Sequence, residues 1–347
     1  MIYFLFIFTL LKKQKMKFEE VIKELKNKIY KPIYFLYGEE AYFIDQISDY
    51  IANNVLDEAE KAFNQVVMYG KDSKIEDVIN AAKRFPMMAN HQVIIVKEAQ
   101  QLKQIEKLQF YADQPLNSTI LVISFKNKNF DKRKKVYKSL KKNAVIFESK
   151  KLYENQVAGW INKYLKQKKY SISPVSSKLL TDFLGTDLSK ISNELDKLMI
   201  SLPENSTITP DDIEKNIGIS KDYNVFELQS ALGQKDILKA NRIINHFANN
   251  PKDNPMVMII ISLFGYFSKI LTYHYTQDKS QNNVASVLGV HPYFVKDYIS
   301  AGQKYNLRKT VSIISMLREY DMKSKGYNNV STTHGDLLRE LVFKILH

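Results

Sequence analysis

The stretch Ile33-Tyr34-Phe35-Leu36-Tyr37-Gly38-Glu39-Glu40-Ala41-Tyr42-Phe43-Ile44-Asp45 joins an apolar run, a glycine turn and the start of an amphipathic pattern. Residues 33–37 are rich in aliphatic and aromatic side chains with little polar alternation, which suits a strand buried on both faces. Ile44, Ile47, Ile51 and Val55 then mark one face of a helix. Strand, turn and helix in this order is where a nucleotide-binding α/β domain sets its phosphate loop. Such a loop needs repeated glycines, free amides and usually a lysine. Here two carboxylates and two aromatics fill it, and Glu39 and Glu40 would repel a triphosphate. The segment reads as a structural turn with a helix cap.

Outward from it, the pattern repeats. Further strand candidates lie at 64–69, 92–97, 119–124 and 144–147. Helical stripes fall between them, with Ile75, Val78, Ile79 and Ala82 on one and Val136, Tyr137 and Leu140 on another. Alternating strand and helix argues for a parallel sheet covered on both sides. After about residue 150 the strand signals stop. Helical faces follow at Val157–Leu165, Leu179–Phe183 and Leu188–Leu198, and Thr209-Pro210-Asp211-Asp212 opens one more. From Tyr223 onward the chain reads as all helix, with candidates at 224–233, 235–249, 255–276, 281–289, 291–303, 307–324 and 332–346.

Composition narrows the function. The 347 residues are 45% hydrophobic and 25% charged, which is globular. There is no cysteine, so disulfides, zinc ribbons, iron–sulfur clusters and thiol nucleophiles are excluded; this suits a reducing cytosol. The closest two of the eleven glycines are nine apart, so neither a dinucleotide fingerprint nor a Walker-type loop can occur. The six histidines are scattered, and no H-E-x-x-H or G-x-S-x-G is present. The formal net charge of +14 suggests nucleic acid or an acidic partner surface, or only the lysine-rich usage of an A/T-rich genome.

Residues 1–15 hold an apolar run shorter than the ~20 residues of a membrane helix. Their lysines, at 12, 13 and 15, follow that run rather than precede it, unlike a signal peptide. Met16 opens an ordinary amphipathic helix and is the expected start, with 1–15 an upstream extension; a membrane-associating segment is the alternative. Without these residues the charge is +11. The apolar stretch 256–267 reads as a buried core helix.

Four constellations remain. At the end of the third strand candidate, Lys97 stands where an ATPase of this architecture would place an aspartate for Mg²⁺. In Arg84-Phe85-Pro86-Met87-Met88-Ala89-Asn90-His91-Gln92 a helix is expected to end near Pro86. Spacing alone favours both methionines in the core, while a protruding partner-binding knob is the alternative. The run Lys126 to Lys142 carries nine basic residues against Asp131, either a solvated helix face or a phosphate contact. In 284–295, Ala285 and Gly289 have helix-turn-helix spacing, but Asp297 opposes phosphate.

Taken together, Tyr37-Gly38-Glu39-Glu40, Phe85-Pro86-Met87-Met88, Asp131-Lys132-Arg133-Lys134-Lys135, residues 187–198, residues 226–233 and Leu288-Gly289-Val290-His291-Pro292 resemble, in order, the delta subunit of the bacterial DNA polymerase III clamp loader. The resemblance implies three domains: a degenerate AAA+ α/β domain at 16–150 without a working P-loop, a small helical lid at 151–217 and a helical collar at 218–347. It implies no catalysis, no ATP and no metal on this chain, which would serve as an accessory subunit of a DNA-directed DNA polymerase holoenzyme, a nucleotidyltransferase. Its partners would be the sliding clamp, the gamma/tau and delta-prime loader subunits in a hetero-pentamer, and primer–template DNA, in the cytoplasm and away from membranes. Met87 and Met88 align with the family's hydrophobic pair that enters a clamp pocket, with Phe85 and Pro86 setting the angle. The family often has Leu and Phe there. Lys132, Arg133, Lys134 and Lys135 become possible DNA-facing residues. A helix-turn-helix DNA-binding protein using 281–303 is the rival reading.

Overall fold

The computed structural model describes residues 16–220 and 222–347. The expected upstream extension, 1–15, lies outside them. The described chain divides into two compact units, one up to Leu152 and the other Tyr153–His347. The expected lid and collar both fall in the second.

The first unit contains α1 (Phe18–Lys26), β1 (Ile33–Gly38), α2 (Ala41–Asn54), α3 (Glu58–Asn64), β2 (Gln65–Tyr69), α4 (Ile75–Ala82), β3 (Gln92–Lys97), α5 (Gln109–Ala112), β4 (Thr119–Lys126), α6 (Lys135–Asn143) and β5 (Ala144–Ser149). The five strands form one parallel sheet in the order β2-β3-β4-β1-β5. Side chains alternate across it. Phe35, Ile94 and Ile123 pack on one face with Val78, Tyr137 and Leu140 of α4 and α6. Leu36, Ile95 and Val122 pack on the other with Leu25, Ile44 and Ile47 of α1 and α2. Each such fully buried aliphatic side chain contributes about 1.5–3 kcal/mol, so two covered faces hold the sheet.

Two expectations for this unit change. Residues 64–69 were expected to form a strand buried on both faces, but β2 is an edge strand with Val66, Val67 and Tyr69 exposed. An edge position alone does not cause this, since β5 is also last in the strand order and its Val145, Ile146 and Phe147 are buried; of β2, Met68 packs against a core cluster. Helix α4 ends at Ala82, not near Pro86. Pro86 lacks an N–H and disfavours helical backbone at Phe85, and the amide of Gln92 supplies the donor that the last helical carbonyls need. Its Nε2 donates to Ala81 O (3.2 Å), Ala82 O (3.3 Å) and Arg84 O.

The second unit runs α7 (Glu154–Gln167), β6 (Ser171–Ile172), α8 (Pro174–Leu184), α9 (Leu188–Ser201), β7 (Thr207–Ile208), α10 (Pro210–Ile217), α11 (Val225–Gln234), α12 (Ile237–Asn249), α13 (Met256–Tyr275), α14 (Gln281–Leu288), α15 (Val295–Lys304), α16 (Leu307–Ser324) and α17 (His334–Leu346). The pair β6–β7, two residues each, breaks the expectation that strands stop after 150; it is too short to leave a periodic signal. Side chains cap the helices as the sequence indicates, with Asp187 accepting from Lys190 N and Thr209 from Asp212 N. Helix α13 is long and apolar enough by composition to cross a membrane. In this fold its Ile259, Leu263, Phe267 and Ile270 are buried in the second core, but Met258, Ile261 and Phe264 are exposed, so the expectation of a buried core helix at 256–267 holds for one face only. The segment with helix-turn-helix spacing contributes Val284, Leu288, Phe294 and Val295 to the same core, and Gly289 ends α14 in the left-handed region (φ 61°).

Candidate functional site

The loop 83–91 joins α4 to β3. Phe85, Met87 and Met88 are exposed, by 76%, 63% and fully, and Pro86 is half-buried. Spacing alone placed both methionines in the core; the structure puts them in solvent, on a loop past the helix end rather than at a helix tip. The loop is nevertheless anchored. Asn64, at the last position of α3 and 3% exposed, donates from Nδ2 to Met87 O (2.9 Å) and accepts from Met87 N at Oδ1 (2.6 Å). Gln92 holds the other end through the α4 carbonyls and through Thr119 Oγ1 (2.8 Å), which itself donates to Ala82 O (2.9 Å). Ala89 packs on the core between these anchors. Met88 takes a left-handed backbone conformation (φ 52°), which is uncommon outside glycine and asparagine and marks a constrained position.

At the turn after β1, Gly38 has φ 141°, and a Cβ there would lie 1.9 Å from Ser149 O. The turn amides that would cradle a phosphate point instead at that carbonyl. Glu39 N donates to Ser149 O at 2.9 Å and Glu40 N at 3.5 Å, and Ser149 Oγ donates to Glu40 O at 2.6 Å. The Glu40 carboxylate caps α2 by accepting from Tyr42 N (3.1 Å), as the sequence reading expected.

Beyond β3 and β4 the polar groups are also committed. Lys126 Nζ lies 2.6 Å from Asp45 Oδ1 and 3.2 Å from Glu98 Oε1. Burial works against this ammonium, yet the two carboxylates hold its pKa above the ordinary lysine value. A lysine of the chain itself thus sits among the carboxylates at the C-terminal end of the central strand, where a nucleotide-bound Mg²⁺ would be expected. Lys97 pairs with Asp49 at 3.5 Å.

The basic run has acidic partners, two of them outside its sequence neighbourhood. Lys132 pairs with Glu148 (2.8 Å), Arg133 with Asp131 (3.0 Å) and Lys134 with Glu106. Hydrogen bonds from Arg133 hold the Asp131 carboxyl at about 2. Lys135 is exposed in the first turn of α6. Val136, Tyr137 and Leu140 are buried beneath this face. Among the described residues no group of three His, Asp or Glu side chains is placed to hold a metal.

Asn64 and Gln92 are the residues that sequence reasoning missed. Both were read as the openings of strands. A polar residue at the start of an apolar run was the available signal, but its partner lies 23 residues away for Asn64.

Comparisons with known proteins agree with this layout. Residues 34–150 match the family model for DNA polymerase III, delta subunit, and residues 222–338 match that for the delta subunit's C-terminal domain. DNA polymerase III subunit delta of Bacillus subtilis (strain 168) is 28% identical over 88% of this chain and 91% of its own length. A probable DNA polymerase III subunit delta of Aquifex aeolicus (strain VF5) is 22% identical over 85% of this chain and 86% of its own. The solved structure of the Bacillus subtilis DNA clamp loader delta protein, 25% identical, superposes with a TM-score of 0.53 over 95% of this chain and 99% of that one. A parallel-sheet α/β unit without a glycine-rich phosphate loop, followed by a mostly helical unit, is therefore the architecture of a known replication protein, and the chain belongs to the DNA polymerase III delta subunit family.

Proposed function

We propose that this chain binds the sliding clamp through the loop 85–88 and favours the opened ring during loading onto primed DNA. The observation that supports it is the exposed Met87–Met88 pair on a loop whose backbone is tied down on both sides. An apolar pair in solvent gains by entering a pocket, and a fixed backbone limits the ordering cost of doing so. Phe85 extends the apolar surface and Pro86 restricts its approach. The loop can open the ring only to the extent that it binds the opened form more tightly than the closed one. Calorimetry of the chain against the clamp of the same organism tests the reading, and a folded chain that gives no binding heat would sink it.

In this reading the chain carries no catalysis and holds no nucleotide or metal. The turn amides donate to Ser149 O, and Lys126 occupies the neighbouring carboxylates. Saturable ATP binding by the chain alone, in the same calorimeter, would contradict this part.

Its partners are homologous loader subunits of the gamma/tau and delta-prime kind, the clamp, and primer–template DNA within the assembly, in the cytoplasm at the replisome. Met258, Ile261 and Phe264 form an exposed apolar stripe on α13 that suits subunit contact in a collar. Lys134 and Lys135 stand at the N-terminus of α6, where the helix dipole disfavours cations but favours a phosphate. This supports a DNA-facing role for residues 132–135.

A further inference from the structure

We infer that Asn64 is a positioning residue for the clamp-binding loop: its buried side-chain amide presets the backbone from which Met87 and Met88 project. The inference rests on the reading of that loop as the clamp contact. Among the described residues, no backbone–backbone hydrogen bond starts or ends between Phe85 and His91. Among the described residues, the backbone of Met87 pairs with the side chain of Asn64. It uses both groups, N–H to Oδ1 at 2.6 Å and C=O from Nδ2 at 2.9 Å, as a neighbouring strand would. Asn64 is itself oriented, since Nδ2 also donates to Glu60 O (3.1 Å), one turn back in α3. That bond fixes which side of the amide faces the Met87 carbonyl.

The chemistry is specific to asparagine. Aspartate offers two acceptors and would face the Met87 carbonyl with a negative oxygen. Serine cannot bridge both groups, and glutamine is a methylene longer. With Met87 fixed, the left-handed turn at Met88 throws the next side chain fully into solvent. Without the amide, both backbone groups can turn to water and the loop samples other conformations. The apparent Kd for a partner rises by the inverse of the fraction still in the competent one.

The test uses the full chain and the sliding clamp of the same organism. Kd is measured by calorimetry, and amide exchange is followed by mass spectrometry for the loop 83–91 and for strand β3. Asn64→Ala is expected to raise Kd by about tenfold, from the loss of two hydrogen bonds of modest net strength. Exchange in the loop rises while β3 stays as protected as in the wild type. Asn64→Asp keeps the side-chain volume and is expected to lose affinity to a similar extent, which separates hydrogen bonding from packing. A Kd within about threefold of wild type in both variants, with the loop exchanging faster, overturns the inference. If Met87→Ala/Met88→Ala still abolishes binding in that case, the clamp reading survives. Weakened binding accompanied by lost protection in β3 would make Asn64 a general structural residue and also overturns it. No binding by the wild type overturns both.

Discussion

Replacing Met87 and Met88 together with alanine separates a contact role from a packing role. Both side chains are exposed in the free chain, so the change is expected to leave folding stability within about 0.5 kcal/mol. On the clamp, each methionine gains roughly 1.5–3 kcal/mol from burial. Against this stands up to about 1.5–2 kcal/mol of rotamer freedom lost by each, which alanine does not lose. The backbone at Met87 is already held by Asn64, so little further ordering cost enters. The net loss on double substitution is about 2 kcal/mol, a rise in Kd of roughly 30-fold. Isothermal calorimetry against the clamp reads it, with circular dichroism to check the fold. The heat-capacity change of binding should also become less negative, because less apolar surface is buried. A double variant that stays folded and binds within about threefold of wild type would refute the reasoning and move the contact elsewhere on the chain.

Other expectations concern the framework. Gly38→Ala should destabilise the first unit by about 3 kcal/mol or more, since φ there is 141° and the new Cβ would lie 1.9 Å from Ser149 O; a thermal midpoint close to wild type would contradict this. Lys126 has its pKa raised by Asp45 and Glu98 in spite of burial. Its contribution is therefore fully present below the unfolded value of about 10.4 and is lost as pH rises through the higher folded value. A thermal midpoint that falls more steeply in the wild type than in Lys126→Met above that pH would show it, and parallel curves would not. Ile261→Asp with Phe264→Asp should leave the chain folded but reduce its assembly with loader subunits, because both side chains are exposed on α13; unchanged assembly by mass photometry would clear that face.

The two kinds of surface differ in how far they could be read. Residues 33–37, 92–97 and 119–124 are apolar runs of strand length, and each lies in the sheet because burial on both faces leaves an uninterrupted apolar record. The same reading failed at β2, whose Val66 and Val67 are as apolar as their neighbours but exposed, while β5, also last in the strand order, is buried. Which strand faces are covered is decided by what packs on them, and a run of apolar residues does not record its neighbours. The helices of the second unit were legible from their caps and periodic faces, since those signals are local. The two-residue pair β6–β7 was not, because two residues have no period.

The alternation of strand and helix, the change to mostly helix after residue 150, and the unsuitability of the turn at Gly38 for a phosphate are written in the chain's own residues. Each follows from which residue types are present and how they are spaced. The closed fold is what sets Met87 and Met88 in solvent, ties their loop to Asn64, and brings Lys132 and Lys134 to Glu148 and Glu106. These facts depend on residues 16 to 28 positions apart in the chain being brought within hydrogen-bonding distance. Local propensity acts over a turn of helix or a strand, whereas exposure and pairing are properties of the closed fold.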